Sequence, residues 1–243
     1  MEDPQFAAAA AWEESAPAYI AFQDRRDPNR TILLDPEMLR LCGDVEGRRV
    51  LDLGCGEGRF CRMLAERGAR TAGLDLTPQM VRTAAERDAG HGSYMRAGAE
   101  RLPLRSGTFD LIVSYVTLVD ITGYREAIAE AARVLRPGGR LVVANLGFVT
   151  ASAGWLRDEQ GRRLYHRVDR YADEWSRELE WAGMRIVNWH RPLANYMQAY
   201  LGAGLVLREF LEPVPTDESL RENEEFEDWF RVPFFTVMRW DKP

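Results

Sequence analysis

The stretch Arg48–Leu64, RRVLDLGCGEGRFCRML, decides the fold. An apolar run leads to Asp52 and Leu53, glycines follow at alternate positions, and helical spacing begins with Phe60, Met63 and Leu64. Strand, glycine turn and helix in that order open an α/β sheet. Glycine lets the backbone approach a ligand closely, and the helix start that follows favours an anion. The glycines are Gly54, Gly56 and Gly58, a GxGxG, whereas the dinucleotide pattern is GxGxxG and Arg59 occupies its last position. The turn alone therefore leaves three readings open: it holds a dinucleotide's pyrophosphate, some other anion, or nothing.

Outward from this turn, strand and helix alternate. Residues 69–76 (ARTAGLDL) read as a strand, and TPQMVRTAAERD as a helix with Thr77 as N-cap and Pro78 in its first position. Residues 92–98 and 108–116 read as strands. GYREAIAEAARVLRPGG is a helix stopped by Pro137, Gly138 and Gly139, and 140–146 is a fifth strand. Strands separated by helices require crossovers, hence a parallel sheet, and short near-continuous apolar strands suit a sheet covered on both faces. After Leu146 the pattern breaks into a segment rich in aromatics and Arg. Within it ELEWAGMRIVNWH predicts a hairpin turning near Ala182 and Gly183, with a helix over 170–182 as the competing reading. Regularity returns with a helix in PLANYMQAYLGAG and strands at 205–213 and 234–240, separated by an acidic stretch, TDESLRENEEFEDWF, that reads as a solvated helix.

Composition narrows the function. The chain has 243 residues, enough for one large α/β domain or a domain with a lid, and 46% hydrophobic with 29% charged residues is ordinary globular content. No apolar run approaches the ~20 residues of a bilayer span. The acidic start and short Ala7–Ala11 run do not form a signal peptide, so a cytoplasmic location and no membrane partner are expected. Cys42, Cys55 and Cys61 make an odd set without a CxxC pair, which argues against a disulfide framework and a metal site. A net charge of −6 without a dense basic cluster disfavours nucleic acid as a partner. The only lysine, Lys242, adjoins the last residue of the sequence, which disfavours Schiff-base chemistry. Asp75 ends the second strand, 21 residues after Gly54. It has two readings: a carboxylate accepting both hydroxyls of a ribose, or an acid favouring the dipole of the helix that follows.

Four segments, VLDLGCGEGRF, GLDLTPQMV, GAERLPLRSGTFDLIVS and ARVLRPGGRLVV, follow one another in an order and spacing that resemble class I S-adenosylmethionine-dependent methyltransferases, specifically the small-molecule type 11 group. The resemblance covers residues 48–146, and HRPLANYMQAYLGAGLVLREFLEP resembles the tail of some members. It implies a Rossmann-like α/β fold: a seven-stranded, mostly parallel sheet of order 3-2-1-4-5-7-6 with strand 7 antiparallel, helices on both faces and an aromatic lid after strand 5. The division that follows is an N-terminal helical cap (1–44), a cofactor-binding core (45–146), a lid (147–192) and a C-terminal part of the core (193–243). S-adenosylmethionine is the implied cofactor, S-adenosylhomocysteine its product, and a small-molecule methyl acceptor the implied partner, with the chain a monomer or homodimer. Carried over by position, Gly54, Cys55 and Gly56 would cradle the methionine end and Asp52 would orient that turn. Asp75 would hold the ribose, Leu76 would pack on the adenine, and Ala99 and Glu100 would frame its edge. Ser114 and Tyr115 would face the methionine and the acceptor. Gly98 stands where members commonly have an Asp that binds the adenine amino group. Upstream, Arg30 could pair with the methionine carboxylate, and Trp12 and Tyr19 could cap the site or simply dock a helix.

Methyl transfer from a sulfonium needs in-line alignment and exclusion of water, plus a base where the acceptor starts protonated. His190 is the first candidate base, His166 the second and Asp120 the third; the competing roles are a structural ring at a helix start for His190 and a helix cap for Asp120. Phe148, Trp155, Tyr165, Tyr171 and Trp189 read either as lid walls for a flat or apolar acceptor, or as a satellite core. Two alternatives stay open: a catalytically silent protein that binds the cofactor, and an NAD(P)-dependent oxidoreductase. The second lacks the third-glycine spacing and gives no account of LPLRSGTFDLIVS or LRPGGRLVV.

Overall fold

The computed structural model describes residues 4–25, 27–222 and 226–243. The sheet is built from β1 (Arg49–Leu53), β2 (Arg70–Asp75), β3 (Ser93–Arg96), β4 (Phe109–Tyr115), β5 (Leu135–Leu146), β10 (Val206–Leu211) and β11 (Phe235–Asp241), in the order β3-β2-β1-β4-β5-β11-β10. The first five run parallel, and β11 is antiparallel to both β5 and β10. This is the expected topology, with β10 and β11 as its sixth and seventh strands.

Alternation within single strands explains the layers. Leu51, Ile112, Leu141 and Val143 point to one face, where they meet Tyr124, Ala127, Ile128 and Ala131 of α5 (Tyr124–Val134) and Tyr200 of α6 (Leu193–Gly202). Val50, Leu111, Val113, Val142 and Ala144 point to the other, where Met38 and Leu41 of α2 (Asp35–Cys42) and Phe60 and Leu64 of α3 (Arg59–Ala65) cover them. Both faces are therefore buried, as parallel strands require. Lys242 has a structural use: its Nζ donates to the carbonyls of Ala132 and Leu135 at 2.8 and 2.7 Å, binding the last strand to the end of α5.

The segment after β5 folds as two antiparallel hairpins, β6 (Ser152–Arg157) with β7 (Arg163–Val168), and β8 (Trp175–Trp181) with β9 (Met184–His190). The turn of the second has Ala182 at φ 49° and Gly183 at φ 80°, two left-handed residues of the kind that match the twist of a two-residue hairpin. The hairpin reading of 170–190 holds and the helix reading does not. The acidic stretch is a 3-10 turn at Glu218–Glu222 and a short helix α7 (Glu227–Arg231), in place of one solvated helix; Asn223, Glu224 and Glu225 lie outside the described residues.

N-terminal to the sheet, α1 (Pro4–Gln23) lies along β9 and α4 (Pro78–Asp88). Of the expected cap, Met1–Asp3 and Arg26 lie outside the described residues. Ser15 Oγ donates to the Arg185 carbonyl and accepts from its N–H, both at 3.0 Å, and Phe22 meets the Trp181 ring edge-on with centroids 4.5 Å apart. Among the described residues no helix is long and apolar enough to cross a membrane.

Candidate active site

The turn after β1 is built by backbone geometry. Gly54 and Cys55 both donate their N–H to the Leu74 carbonyl, at 2.8 and 2.9 Å, which bends the chain toward the end of β2. Gly54 has φ +69°, and a Cβ there would lie 2.8 Å from Thr117 Oγ1, 2.9 Å from Thr117 Cβ and closer still to Thr117 Cγ2. Only glycine fits. Gly56 donates to Asp75 Oδ2 at 3.0 Å and Thr77 N–H to Asp75 Oδ1 at 2.8 Å, so both carboxylate oxygens are fixed and each keeps a lone pair for a ligand. Burial raises the Asp75 carboxyl above its ordinary value, opposed by these N–H bonds. Thr77 stands at the N-cap of α4, but its side chain makes no capping bond.

Asp52 is 2% exposed. Its Oδ2 accepts from the Cys61 thiol at 3.6 Å, and its buried Oδ1 has no hydrogen-bond partner. Burial pushes this carboxyl up to about 7. A buried acceptor without a donor is costly, so a ligand ammonium or hydroxyl is what this position lacks.

Gly54, Gly56, Asp75 and Thr77 border a cleft at the carboxyl ends of β1, β2 and β4, with Trp12 and Tyr19 of α1 in its wall. Of the residues expected in the site, Tyr19, Gly54, Gly56, Asp75, Leu76, Ala99, Glu100, Tyr115 and Asp120 line this cleft, as does Gly98. Arg30, Asp52 and Cys55 line a second, smaller cavity that shares Tyr19, Gly54 and Tyr115 with it. Arg30 donates to the Tyr19 hydroxyl at 2.8 Å, and its guanidinium lies 4.8 Å from the Tyr115 ring centroid. Ser114 lines neither space; it is buried in β4 and its Oγ has no partner.

Of the three candidate bases, Asp120 lines the cleft and the two histidines do not. His190 does not line the cleft: it is 1% exposed, with Nδ1 2.8 Å from Thr150 Oγ1 and Nε2 2.9 Å from the Tyr171 carbonyl, so both nitrogens serve the packing of the second hairpin. His166 lies among the rings of Phe148, Trp155 and Phe234, its Nδ1 2.7 Å from Ser152 Oγ. Desolvation lowers the pKa of both histidines. Asp120 lines the cleft, and burial pushes its carboxyl up to about 8 despite a hydrogen bond from Asn188 Nδ2.

The five expected lid aromatics also lie elsewhere. Phe148 and Trp155 surround His166, and the Tyr165 side chain faces solvent. Tyr171 packs on His190 and accepts from the Leu193 N–H, and Trp189 packs against Arg191. None borders the cleft: the two hairpins and the segments flanking them turn these rings toward their own packing or toward solvent. What borders it is α1.

A methyltransferase-domain family model matches residues 51–143. A solved S-adenosylmethionine-dependent methyltransferase of Mesorhizobium loti is 30% identical, with a TM-score of 0.75 over 84% of this chain and 95% of that one. The chain belongs to the class I S-adenosylmethionine-dependent methyltransferases, in their type 11 group. A Listeria monocytogenes protein solved as a candidate member of the same class is 26% identical, with a TM-score of 0.77 over 86% of this chain and 96% of that one. The malonyl-[acyl-carrier protein] O-methyltransferase of Serratia marcescens is 38% identical over 112 residues, 46% of this chain. That match spans only 42% of the Serratia protein's length.

In this methyltransferase, further residues of the site escape a reading of the sequence. Thr117 packs on the glycine turn and its Oγ1 donates to the Gly54 carbonyl at 3.3 Å. Arg191, 4% exposed, donates to the carbonyls of Leu118, Ile121 and Thr122 and to the Tyr196 hydroxyl. With the Trp189 N–H on the Val119 carbonyl at 2.8 Å and Asn188 on Asp120, the end of β9 holds the whole loop after β4. The available signal was Arg191 itself, a charged residue directly after an alternating strand.

Proposed function

We propose that the chain transfers the methyl group of S-adenosylmethionine to a small-molecule acceptor bound in the cleft beside α1. The observation that carries this reading is the buried, partnerless Oδ1 of Asp52 next to a turn that only glycine can form. That acceptor suits the ammonium of an amino acid, and the residues around it suit the rest of the cofactor. Asp75 would bind the ribose hydroxyls, and Arg30 would meet the methionine carboxylate once Tyr19 shares it. Leu76, Met80 and Ala99 provide apolar surface for the adenine, with Gly98 offering backbone in place of the family's Asp. When bound, S-adenosylmethionine supplies an already activated methyl group on a sulfonium, so the protein's part is alignment and exclusion of water.

In this reading the cap is α1, and the hairpin β8–β9 is its support as well as the anchor of the Asp120 loop. Asp120, which lines the cleft, would take a proton from an acceptor that starts protonated. The test is calorimetric titration of S-adenosylhomocysteine and, separately, NADH into the protein and into Asp75→Ala, followed by an acceptor screen that detects S-adenosylhomocysteine release. Binding of S-adenosylhomocysteine that weakens by about 2 kcal/mol or more in the variant is expected. Binding of NADH alone, or of neither, would refute the proposal.

A further inference from the structure

Asp120 is a lining carboxyl to which the reading above assigns no contact with the cofactor. One of its oxygens accepts from the buried Asn188, and no second side chain binds it among the described residues. Arg191 lowers the Asp120 carboxyl through its charge, but its guanidinium donates to the carbonyls of Leu118, Ile121 and Thr122 and to Tyr196, so it holds the loop and makes no hydrogen bond to the carboxylate. Asp75 and Glu100 line the same cleft, so three carboxyls border one space. In that setting a ligand that brings positive charge is favoured and draws the carboxyls into their ionised form, whereas one that develops negative charge is disfavoured beside them. Trp12 and Tyr19, edge to face with centroids 5.5 Å apart, add aromatic surface that attracts a cation.

We infer that the methyl acceptor is an amine, held and deprotonated by Asp120 beside the Trp12 and Tyr19 rings. This rests on the methyl-transfer reading above. The acceptor arrives as an ammonium, whose charge favours the ionised form of Asp120, and then gives one proton to that carboxylate. Its nitrogen lone pair forms the bond to the methyl carbon while the carbon–sulfur bond breaks, its electron pair passing to sulfur. The positive charge thereby moves from sulfur to nitrogen, where the product is an N-methylammonium. A phenol would have to build anionic oxygen next to Asp75 and Asp120, and a carboxylic acid would enter with that charge already present.

The experiment is calorimetric binding of three probes with one arene, 2-phenylethylamine, 4-ethylphenol and 3-phenylpropionate, to the protein saturated with S-adenosylhomocysteine. The amine is expected to bind at least about tenfold more tightly than the other two. Asp120→Asn should erase that preference while S-adenosylhomocysteine affinity stays unchanged, which also reports that the variant is folded. Asp120→Glu, which keeps the charge, should retain it. Equal or tighter binding of the phenol or the acid, no binding of the amine, or a preference that survives Asp120→Asn overturns the inference. Failure of S-adenosylhomocysteine to bind at all would instead refute the methyl-transfer reading.

Discussion

Replacing Gly54 with Ala tests the logic of the turn most directly. Two costs are separable. An L-residue at φ +69° sits in the left-handed region, at about 1–2 kcal/mol. The added methyl also meets Thr117, with Oγ1 at 2.8 Å and Cβ at 2.9 Å from the new carbon, an overpacking of about 1–3 kcal/mol in a site that cannot relax freely. The variant should therefore lose about 2–5 kcal/mol in urea denaturation. Thr117→Ala alone removes the hydrogen bond to the Gly54 carbonyl, made at 3.3 Å, for about 0.5–1 kcal/mol. In the double variant the clashing Oγ1 and Cγ2 are gone, so most of the overpacking should be recovered while the φ cost remains. A double-mutant cycle should then show a favourable coupling of about 1–2 kcal/mol. Calorimetry alongside should show S-adenosylhomocysteine affinity falling in Gly54→Ala and partly returning in the double variant. A Gly54→Ala protein of parental stability, or a cycle with no coupling, would refute the claim that Thr117 makes glycine obligatory here.

Three further outcomes are expected. Because burial raises the Asp52 carboxyl to about 7, the folded state keeps a proton that the unfolded chain releases above about pH 4. Stability therefore falls as pH rises from about 4 through 7. Asp52→Asn should be the more stable protein at pH 8, by at most about 4 kcal/mol, with the difference vanishing near pH 4 in parallel urea titrations. A variant less stable at pH 8 would show that Asp52 has a compensating donor. Ala182→Asn places an Asn-Gly pair in the hairpin turn and should stabilise by about 0.5–1 kcal/mol in thermal denaturation, with S-adenosylhomocysteine affinity unchanged. Arg191→Met strands three loop carbonyls and should cost about 3–5 kcal/mol, with little rescue by Lys, whose single ammonium cannot replace the fork; near-parental stability in the Met variant would contradict the clamp.

How legible each part of the molecule was in the sequence follows the range over which it is encoded. The turn at Gly54 and the acid at Asp75 were legible because their geometry is local: a strand end, a left-handed glycine, a carboxylate fixed by N–H groups at Gly56 and Thr77. Alternation in β1, β4 and β5 likewise announces two buried faces. His190 was not legible. Its chemistry is decided by Thr150 and the Tyr171 carbonyl, 40 and 19 residues away in the chain, which consume both ring nitrogens. Residue type pointed to the aromatic segment as the wall of the cleft, yet type does not say which way a hairpin turns its faces. The wall comes from Trp12 and Tyr19. Asp120 shows the same principle from the opposite side. In the chain it is one acid in TLVDI; in the fold, Asn188, Trp189 and Arg191 reach back across some 70 residues to hold its loop open to the cleft. A carboxyl that the fold orients and leaves without a directly bonded cation is costly to keep charged in the free protein, and that cost is recovered when a positively charged ligand enters.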